Sequence, residues 1–447
     1  SVRTTRRMQT VVDAAALAML VPIAAELTAT TGGLIAAVLL ALCAIGAGEV
    51  PVFPYFRWLP LLIAVWALLR HRRNRESEIK RGATSTPDTR RPTPVLLYIA
   101  AIAASLGILW SLDVGMCAVA ATAICILLFT RRAAWITIAA IAAPLLVLLI
   151  TRVDLHHFIR DSFVIIPRSI DAIWSLPAKP LPSLSLLIHP ISLWDWLASE
   201  SARYYLPPVF FGFLLALAIR KRDMRIAIVA IVSIILFRTA AGRCSWSHTR
   251  FALPLLGIAV VAFVFEPMLR SRLNAWRTIA VVVAAILGFR YFEIADNVKL
   301  GAKLLAGWPA RQRHEGLVPY PMARGRGIYT YPENAADLAA LNDLAHRAGP
   351  GPIFDLSGER ALYYLLDRRP ATRCPDIAML SDPELSAEAL RELNDHPPVF
   401  VVIEGITILG SLDGIPNRNR IPPIAAWIDA HYPVRVTAGR YAIAFAK

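Results

Sequence analysis

Long apolar runs alternate with short polar connections along the chain up to about residue 293. A hydrocarbon core about 30 Å thick needs roughly 20 apolar residues in helical form. Several runs are slightly shorter, as is common for helices packed inside a bundle. The runs lie at 11–29, 33–49, 56–70, 94–112, 114–130, 133–151, 205–219, 225–241, 251–267 and 277–293. The pattern predicts a polytopic α-helical membrane bundle of about ten transmembrane helices.

The pattern changes after residue 293 to that of a small α/β domain. Segments rich in β-branched and aromatic residues and bounded by Pro and Gly predict strands within 352–357, 398–405 and 434–447. Segments with helical spacing predict helices at 333–349, 358–367, 386–395 and 421–432, the first ending at a C-cap glycine, Gly349. Alternating strands and helices indicate α/β architecture. We therefore expect a transmembrane domain at 1–293 and an external α/β domain at 294–447.

Composition supports an integral membrane protein. Of 447 residues, 56% are hydrophobic and only 18% are charged, and the formal net charge is +15; the mean hydropathy is +0.53. Acidic and basic residues balance over 296–447, so the basic excess lies in the connections between apolar runs. This distribution favours membrane orientation over nucleic-acid binding, and no nucleic-acid partner is expected.

Four short basic connections orient the predicted spans. They occupy 71–81, 130–132, 220–225 and 269–277, and the positive-inside rule makes all of them cytoplasmic. Residues 111–113, the loop 152–204, the segment 242–250 and everything after 293 then fall on the external side. This predicts a multi-pass membrane protein with an external C-terminal domain.

The first residues of the sequence do not agree directly with this assignment of sides. Three predicted spans precede 71–81, so the basic start SVRTTRR falls outside, and the first residue is Ser1. Either one of the first three runs does not cross, or an earlier span is missing. We favour the second explanation, an N-terminally truncated fragment.

The loop 152–204 contains alternating aromatic, basic and proline residues, a composition suited to short interfacial helices. Two interpretations remain open at this point. The loop is either a structured connector between spans or part of a substrate cleft.

Motifs of soluble chemistry are absent: the sequence has no GxxxxGK[ST], GxSxG, HExxH or clean GxGxxG. Ionisable groups at the external boundary are the remaining candidates, because such groups are costly near lipid unless paired or hydrated. Arginine offers a planar fork to phosphate oxygens, and histidine can donate a hydrogen bond or transfer a proton. The candidate phosphate ligands are Arg243, His248 and Arg250, with Arg160 and Arg168 from the loop.

Two acidic residues at the same boundary, Glu49 and Asp113, form a candidate polar site. Asp113 has an alternative structural interpretation, since a carboxylate at a helix start accepts exposed backbone N–H groups and favours the positive end of the dipole.

The order of these features resembles the GT-C class of membrane glycosyltransferases, especially the bacterial polyprenyl-phosphate-sugar-dependent ArnT and Rgt groups. The resemblance covers most of the chain, including the many helices, the long external loop and the terminal α/β domain. Its most specific part is an external motif of the form GR-x-[D/S]-W-x-H followed by FALP. The matching residues are Gly242, Arg243, Ser245, Trp246, His248 and 251–254. Further similar pieces lie at 354–373 and 412–432.

The resemblance implies transfer of a sugar, with inversion, from a polyprenyl-phosphate donor to a glycan or lipid acceptor of the cell envelope. It also implies a bacterial inner membrane, with the external C-terminal domain in the periplasm. It places the catalytic acid in the first external loop, and no equivalent precedes residue 11, so the catalytic residues stay unknown and Asp113 is not assigned as the base. Metal dependence varies within the class; no cofactor is predicted, and the sequence gives no support for a divalent metal.

Two other classes of function stay open. One is a transporter or flippase of a polyprenyl-linked or anionic lipid, which would show internal repeats or broken helices. The other is a non-catalytic envelope assembly protein whose external domain binds a partner.

Overall fold

A computed structural model describes residues 2–45, 55–80, 95–129, 133–169, 189–241, 249, 252–270, 275–307, 309, 313–407, 410–411 and 414–447. The chain forms two compact units. The helical unit comprises Gln9–Leu155 and Leu176–Leu305. The α/β unit comprises Ser1–Met8, His156–Ser175 and Ala306–Lys447.

Apolar α-helices dominate the chain up to residue 306. Their bounds are α1 Val2–Ala18, α2 Leu20–Leu27, α3 Thr31–Ile45, α4 Leu59–Lys80, α5 Val95–Trp110, α6 Leu112–Phe129, α7 Ala133–Thr151, α8 Leu155–Arg160, α9 Pro190–Leu197, α10 Glu200–Lys221, α11 Met224–Ala241, α12 Leu253–Val260, α13 Glu266–Arg270, α14 Ala275–Tyr291 and α15 Ile294–Ala306. A π-helical turn, Val261–Phe265, joins α12 to α13.

Three helical stretches within the described residues are long and apolar enough to cross a membrane: Met8–Leu27, Glu200–Lys221 and Leu253–Arg270. A fourth candidate is the pair Thr278–Tyr291 and Ile294–Ala306, bent by 49°. The other apolar helices in the described parts of the chain are shorter, including Thr31–Ile45, Val95–Trp110, Leu112–Leu128 and Trp135–Thr151. The predicted helical character is therefore confirmed, and several of the described helices have the length and composition to cross a membrane, whereas ten spans are not confirmed.

At one end of the helical unit, which we call the basic end, arginines lie close to two buried glutamates. Glu26 is 6% exposed and lies 3.0 Å from Arg70 and 3.2 Å from Arg73. Glu266 accepts the backbone N–H of Ala29, at 2.9 Å from its Oε2. The last turn of α2 therefore lies beside the middle of α4, and the turn between α2 and α3 lies beside the start of α13.

The α/β unit is built on a four-stranded mixed sheet in the order β3-β4-β6-β5. Its strands are β3 Ile353–Asp355, β4 Phe400–Glu404, β5 Val434–Ala438 and β6 Tyr441–Phe445. Strands β3 and β4 are parallel, and the other two pairs are antiparallel. A separate two-stranded pair joins β1 Val318–Pro319 to β2 Tyr329–Thr330.

The helices of this unit alternate with its strands as the sequence predicts. They are α16 Pro332–Arg347, α17 Ala361–Leu365, α18 Pro383–Asp395, α19 Asn417–Arg420 and α20 Pro422–His431. Gly349 follows the first of these with φ +79°, a left-handed conformation that glycine adopts without steric cost. The predicted terminal strand region is a hairpin, β5 and β6, because the chain reverses at Gly439, where φ is +60°.

The α/β unit includes part of the loop 152–204. Ile165 is fully buried in one apolar core with Phe354, Leu356 and Val401. The π-helical turn Asp161–Ile165 continues α8 and carries this side chain into the core. These residues of the loop are thus part of the packed core of the α/β unit. Residues 294–305 group with the helical unit, and Ala306–Lys447 groups with the α/β unit.

Candidate functional site

Much of the predicted phosphate site lies outside the described residues. This applies to Arg243, His248 and Arg250, and also to Glu49. The structure does describe the helices on either side of the motif: α11 ends at Ala241, and α12 begins at Leu253 and is buried along most of its length.

Asp113 lies at the end of the helical unit opposite the basic end. It occupies the first turn of α6 and accepts a hydrogen bond from the Ser111 hydroxyl. Arg57 lies 3.8 Å away, and both side chains are about half exposed. An acidic group in the first turn is favoured by the helix dipole, which agrees with the structural interpretation of Asp113.

The end of α11 lies close to this pair. The Cys117 sulfur is 3.4 Å from the backbone carbonyl of Ile235, so the first turns of α6 pack against the last turns of α11. Arg238 is in the last turn of α11. The 242–250 segment follows α11 in the sequence, and the last turns of α11 lie beside the first turns of α6, which carry Asp113.

Arg160 and Arg168 belong to a different environment, the α/β unit, where both face carboxylates. Arg160 lies 2.6 Å from Glu384 and 3.2 Å from Glu388. Arg168 lies 3.1 Å from Asp382 and 2.6 Å from Glu384. Both guanidinium groups therefore act as ion-pair partners within this unit.

The same network has a structural consequence for helix α18. Asp382 is its N-cap and accepts the backbone N–H groups of Glu384 and Leu385. Burial alone would raise the pKa of Asp382, but hydrogen bonds from Arg168 and Ser169 lower it to about 2. The Arg160 and Arg168 hydrogen bonds likewise lower the pKa of Glu384. These carboxylates are charged at neutral pH and hold the 160–169 segment on the α/β unit.

A crevice of about 410 Å³ lies in the α/β unit at the carboxyl ends of the parallel strands β3 and β4. Residues 358–362 follow β3, and Ile406 and Thr407 follow β4. The described lining is completed by Tyr320, Thr330, Asn334, Leu338, Leu365 and Tyr441. In α/β sheets, this edge is where ligands characteristically bind.

Glu359 is the acidic side chain of this lining, and it is 8% exposed. Its two oxygens accept the backbone N–H of Thr407 at 2.7 Å and the hydroxyl of Tyr441 at 2.9 Å. Gly405 allows this arrangement, because a Cβ at that position would collide with the Glu359 carboxylate. The carboxylate is thus held in one orientation from two neighbouring strands.

Asp355 at the end of β3 is buried behind this crevice. One of its oxygens accepts the Ser357 N–H at 2.9 Å and the Ser357 hydroxyl at 2.5 Å. The other oxygen is buried and has no hydrogen-bond partner among the described residues. Burial raises the pKa of Asp355 to about 6, and the nearby charge of Glu359 adds to the shift.

The described residues contain no group of three or more His, Cys, Asp or Glu side chains arranged to hold a metal ion. Sequence reasoning also missed the crevice. A usable signal was present, since each of the two strands is followed within a few residues by glycine and an acidic or hydroxyl residue, as in "FDLSGE" and "VVIEGIT".

Comparison with known proteins adds no assignment. No family model, no curated protein and no solved structure matches the chain. Function must therefore be inferred from the residues and contacts of this chain itself.

Proposed function

We propose that the protein is a membrane glycosyltransferase that moves a sugar from a polyprenyl-phosphate donor to a cell-envelope acceptor. The observation that supports this is the contact between Cys117 and Ile235. It brings the start of α6, with Asp113, beside the end of α11, the helix that precedes the Arg243 and His248 motif in the sequence.

The chemistry requires positive groups for the donor phosphate. In the proposed site Arg243, His248 and Arg250 bind the phosphate oxygens, and the guanidinium groups stabilise the negative charge that develops as the sugar–phosphate bond breaks. A carboxylate is also needed to accept the proton of the attacking hydroxyl. Asp113 is not assigned that role, because it is already paired with Arg57 at the start of α6.

Arg160 and Arg168 are left out of this donor site. Each already faces two carboxylates of the α/β unit, at distances of 2.6–3.2 Å. A phosphate would have to displace those carboxylates, and the buried Asp382 would then lose its charged partner.

The first experiment replaces Arg243 and measures both binding and transfer. The assay measures sugar transfer from lipid-linked sugars extracted from the membranes of the source cells. We expect Arg243→Ala to lower the transfer rate by roughly 100-fold or more, the usual effect of removing a hydrogen-bond donor that stabilises a transition state. Binding of undecaprenyl phosphate to the purified protein, followed by native mass spectrometry, should weaken in parallel. Arg243→Lys should retain part of the binding because it keeps the charge without the planar fork.

A matched control is Arg313→Ala, since Arg313 is two-thirds exposed and pairs only locally with Glu315 at 2.7 Å. This variant should transfer sugar at the wild-type rate. Unchanged turnover in Arg243→Ala would refute the assignment of the motif.

One observation favours a transporter or flippase as the second candidate. The chain bends by 49° between Tyr291 and Ile294, and Glu293 at the bend has φ +46° and pairs with the buried Arg203 at 2.6 Å. Broken helices that expose such groups are common in transporters. Reconstituted vesicles discriminate the two classes: an enzyme yields a new glycoside, whereas a flippase moves labelled lipid between leaflets without forming one.

A further inference from the structure

The crevice of the α/β unit is separate in sequence from the residues of the proposed donor site. Its volume of about 410 Å³ lies within the usual range of small-molecule pockets. All of its lining residues belong to 320–441, so it does not depend on the 242–250 motif.

The polar part of this crevice is built around Glu359. Each carboxylate oxygen already accepts one hydrogen bond, from Thr407 and Tyr441. A carboxylate offers about four lone-pair sites, so capacity to accept further donors is left. Thr330 and Asn334 add a hydroxyl and an amide to the same lining.

The apolar part comes from aliphatic side chains. Leu338 is almost fully buried, and Leu365 and Ile406 are half-buried. Together they give the crevice a non-polar wall beside its hydrogen-bonding groups. A ligand that fits both parts must itself have a hydroxyl-rich edge and a non-polar face.

The charges of the lining select against an anion. The Glu359 carboxylate lies in the crevice, with the Asp355 carboxyl group buried behind it. Arg360, the basic side chain of the described lining, is held 3.1 Å from Asp376, so its charge is already paired. A neutral ligand with several hydroxyl groups can donate hydrogen bonds to Glu359 without bringing a second negative charge beside it.

We propose that this crevice binds a neutral carbohydrate, whose hydroxyl groups donate to Glu359 and whose C–H face lies on the aliphatic wall. Sugar rings combine these two surfaces in one small molecule. The proposal stands without glycosyl transfer, because it assigns binding and no reaction to the α/β unit.

The test uses full-length protein in lipid nanodiscs and saturation-transfer NMR. The probes are maltose, lactose, N,N′-diacetylchitobiose, methyl α-mannoside and arabinose, with glucosamine and inorganic phosphate as charged comparators. At least one neutral saccharide should bind the wild type. Glu359→Gln should weaken that binding about tenfold or more, since hydrogen bonds to charged groups contribute roughly 1.5–3 kcal/mol.

Three further variants separate the explanations. Ala361→Trp fills the crevice from its exposed side without altering Glu359 and should abolish binding. Glu404→Gln changes an exposed carboxylate on β4 that is not in the described lining and should bind normally. Arg243→Ala should also bind saccharide normally, whatever its effect on transfer.

Several results would overturn the proposal. Among them are the absence of binding by every neutral saccharide of this panel and equal binding by wild type, Glu359→Gln and Ala361→Trp. A signal from glucosamine or phosphate alone would instead assign the crevice to a charged ligand.

Discussion

Single glycines set how closely the helices of the helical unit approach. Gly115 lies in α6 two residues after Asp113, and a Cβ there would overlap the backbone of Gly107 and Ile108 in α5. Small residues at helix contacts allow this approach in membrane proteins. The position of Asp113 beside Arg57 thus depends on Gly115, a residue without a functional side chain.

Gly115→Ala should destabilise the helical unit by about 1–3 kcal/mol, the usual effect of inserting an atom into a packed contact. Thermal unfolding of the purified protein in detergent measures this as a lower midpoint. Gly212→Ala is the matched control in another helix, because a Cβ there has no neighbouring atom within 4 Å. Equal midpoints for the two variants would contradict the close contact.

The sequence predicts the secondary structure elements better than it predicts which elements pack against one another. The β-branched runs in 352–357 and 398–405 correctly predict β3 and β4, and the Gly349 signal correctly ends α16, because these preferences are local. The location of Ile165 in the α/β core was not predictable from its sequence neighbourhood, since its core partners are more than 180 residues away. The proximity of Arg57 to Asp113 was not predictable either, because the two residues are distant in the sequence.

The buried Ile165 provides a test of this association. Ile165→Ala should cost about 2–5 kcal/mol, because it removes a fully buried side chain from a packed core. Hydrogen exchange read by mass spectrometry should then show faster exchange in peptides from 156–169. Val164→Ala, which changes an exposed neighbour, should exchange like the wild type; the same acceleration in both variants would exclude a specific role for Ile165.

At the scale of the whole molecule, the α/β unit restricts the topology. Arg160 and Glu384 form one ion pair, so the two segments lie on the same side of any membrane. The chain between them must then cross an even number of times. Glu200–Lys221, Leu253–Arg270 and the bent pair would give three crossings. We therefore expect a fourth, and the candidate is the apolar run predicted at 225–241, which forms α11.

We expect the α/β unit on the external side and the 220–225 connection in the cytoplasm. Glu315→Cys should therefore react with a membrane-impermeant maleimide in intact cells expressing the protein. Lys221→Cys should react only after permeabilisation. A cysteine-free background in which Cys43, Cys117, Cys125, Cys244 and Cys374 are replaced by alanine removes competing thiols. Labelling of Lys221→Cys in intact cells would reverse the orientation.

The assembly of the α/β unit from distant segments also has a consequence during synthesis. The 160–169 segment is made long before its partner helix α18, because 224 residues separate Arg160 from Glu384. At about 5–20 residues per second, the ribosome needs roughly 10–45 s to reach that partner. The central strand β6, Tyr441–Phe445, follows later still. During this interval Ile165 is without its core, so a nascent chain offers a hydrophobic site to chaperones that the finished protein conceals.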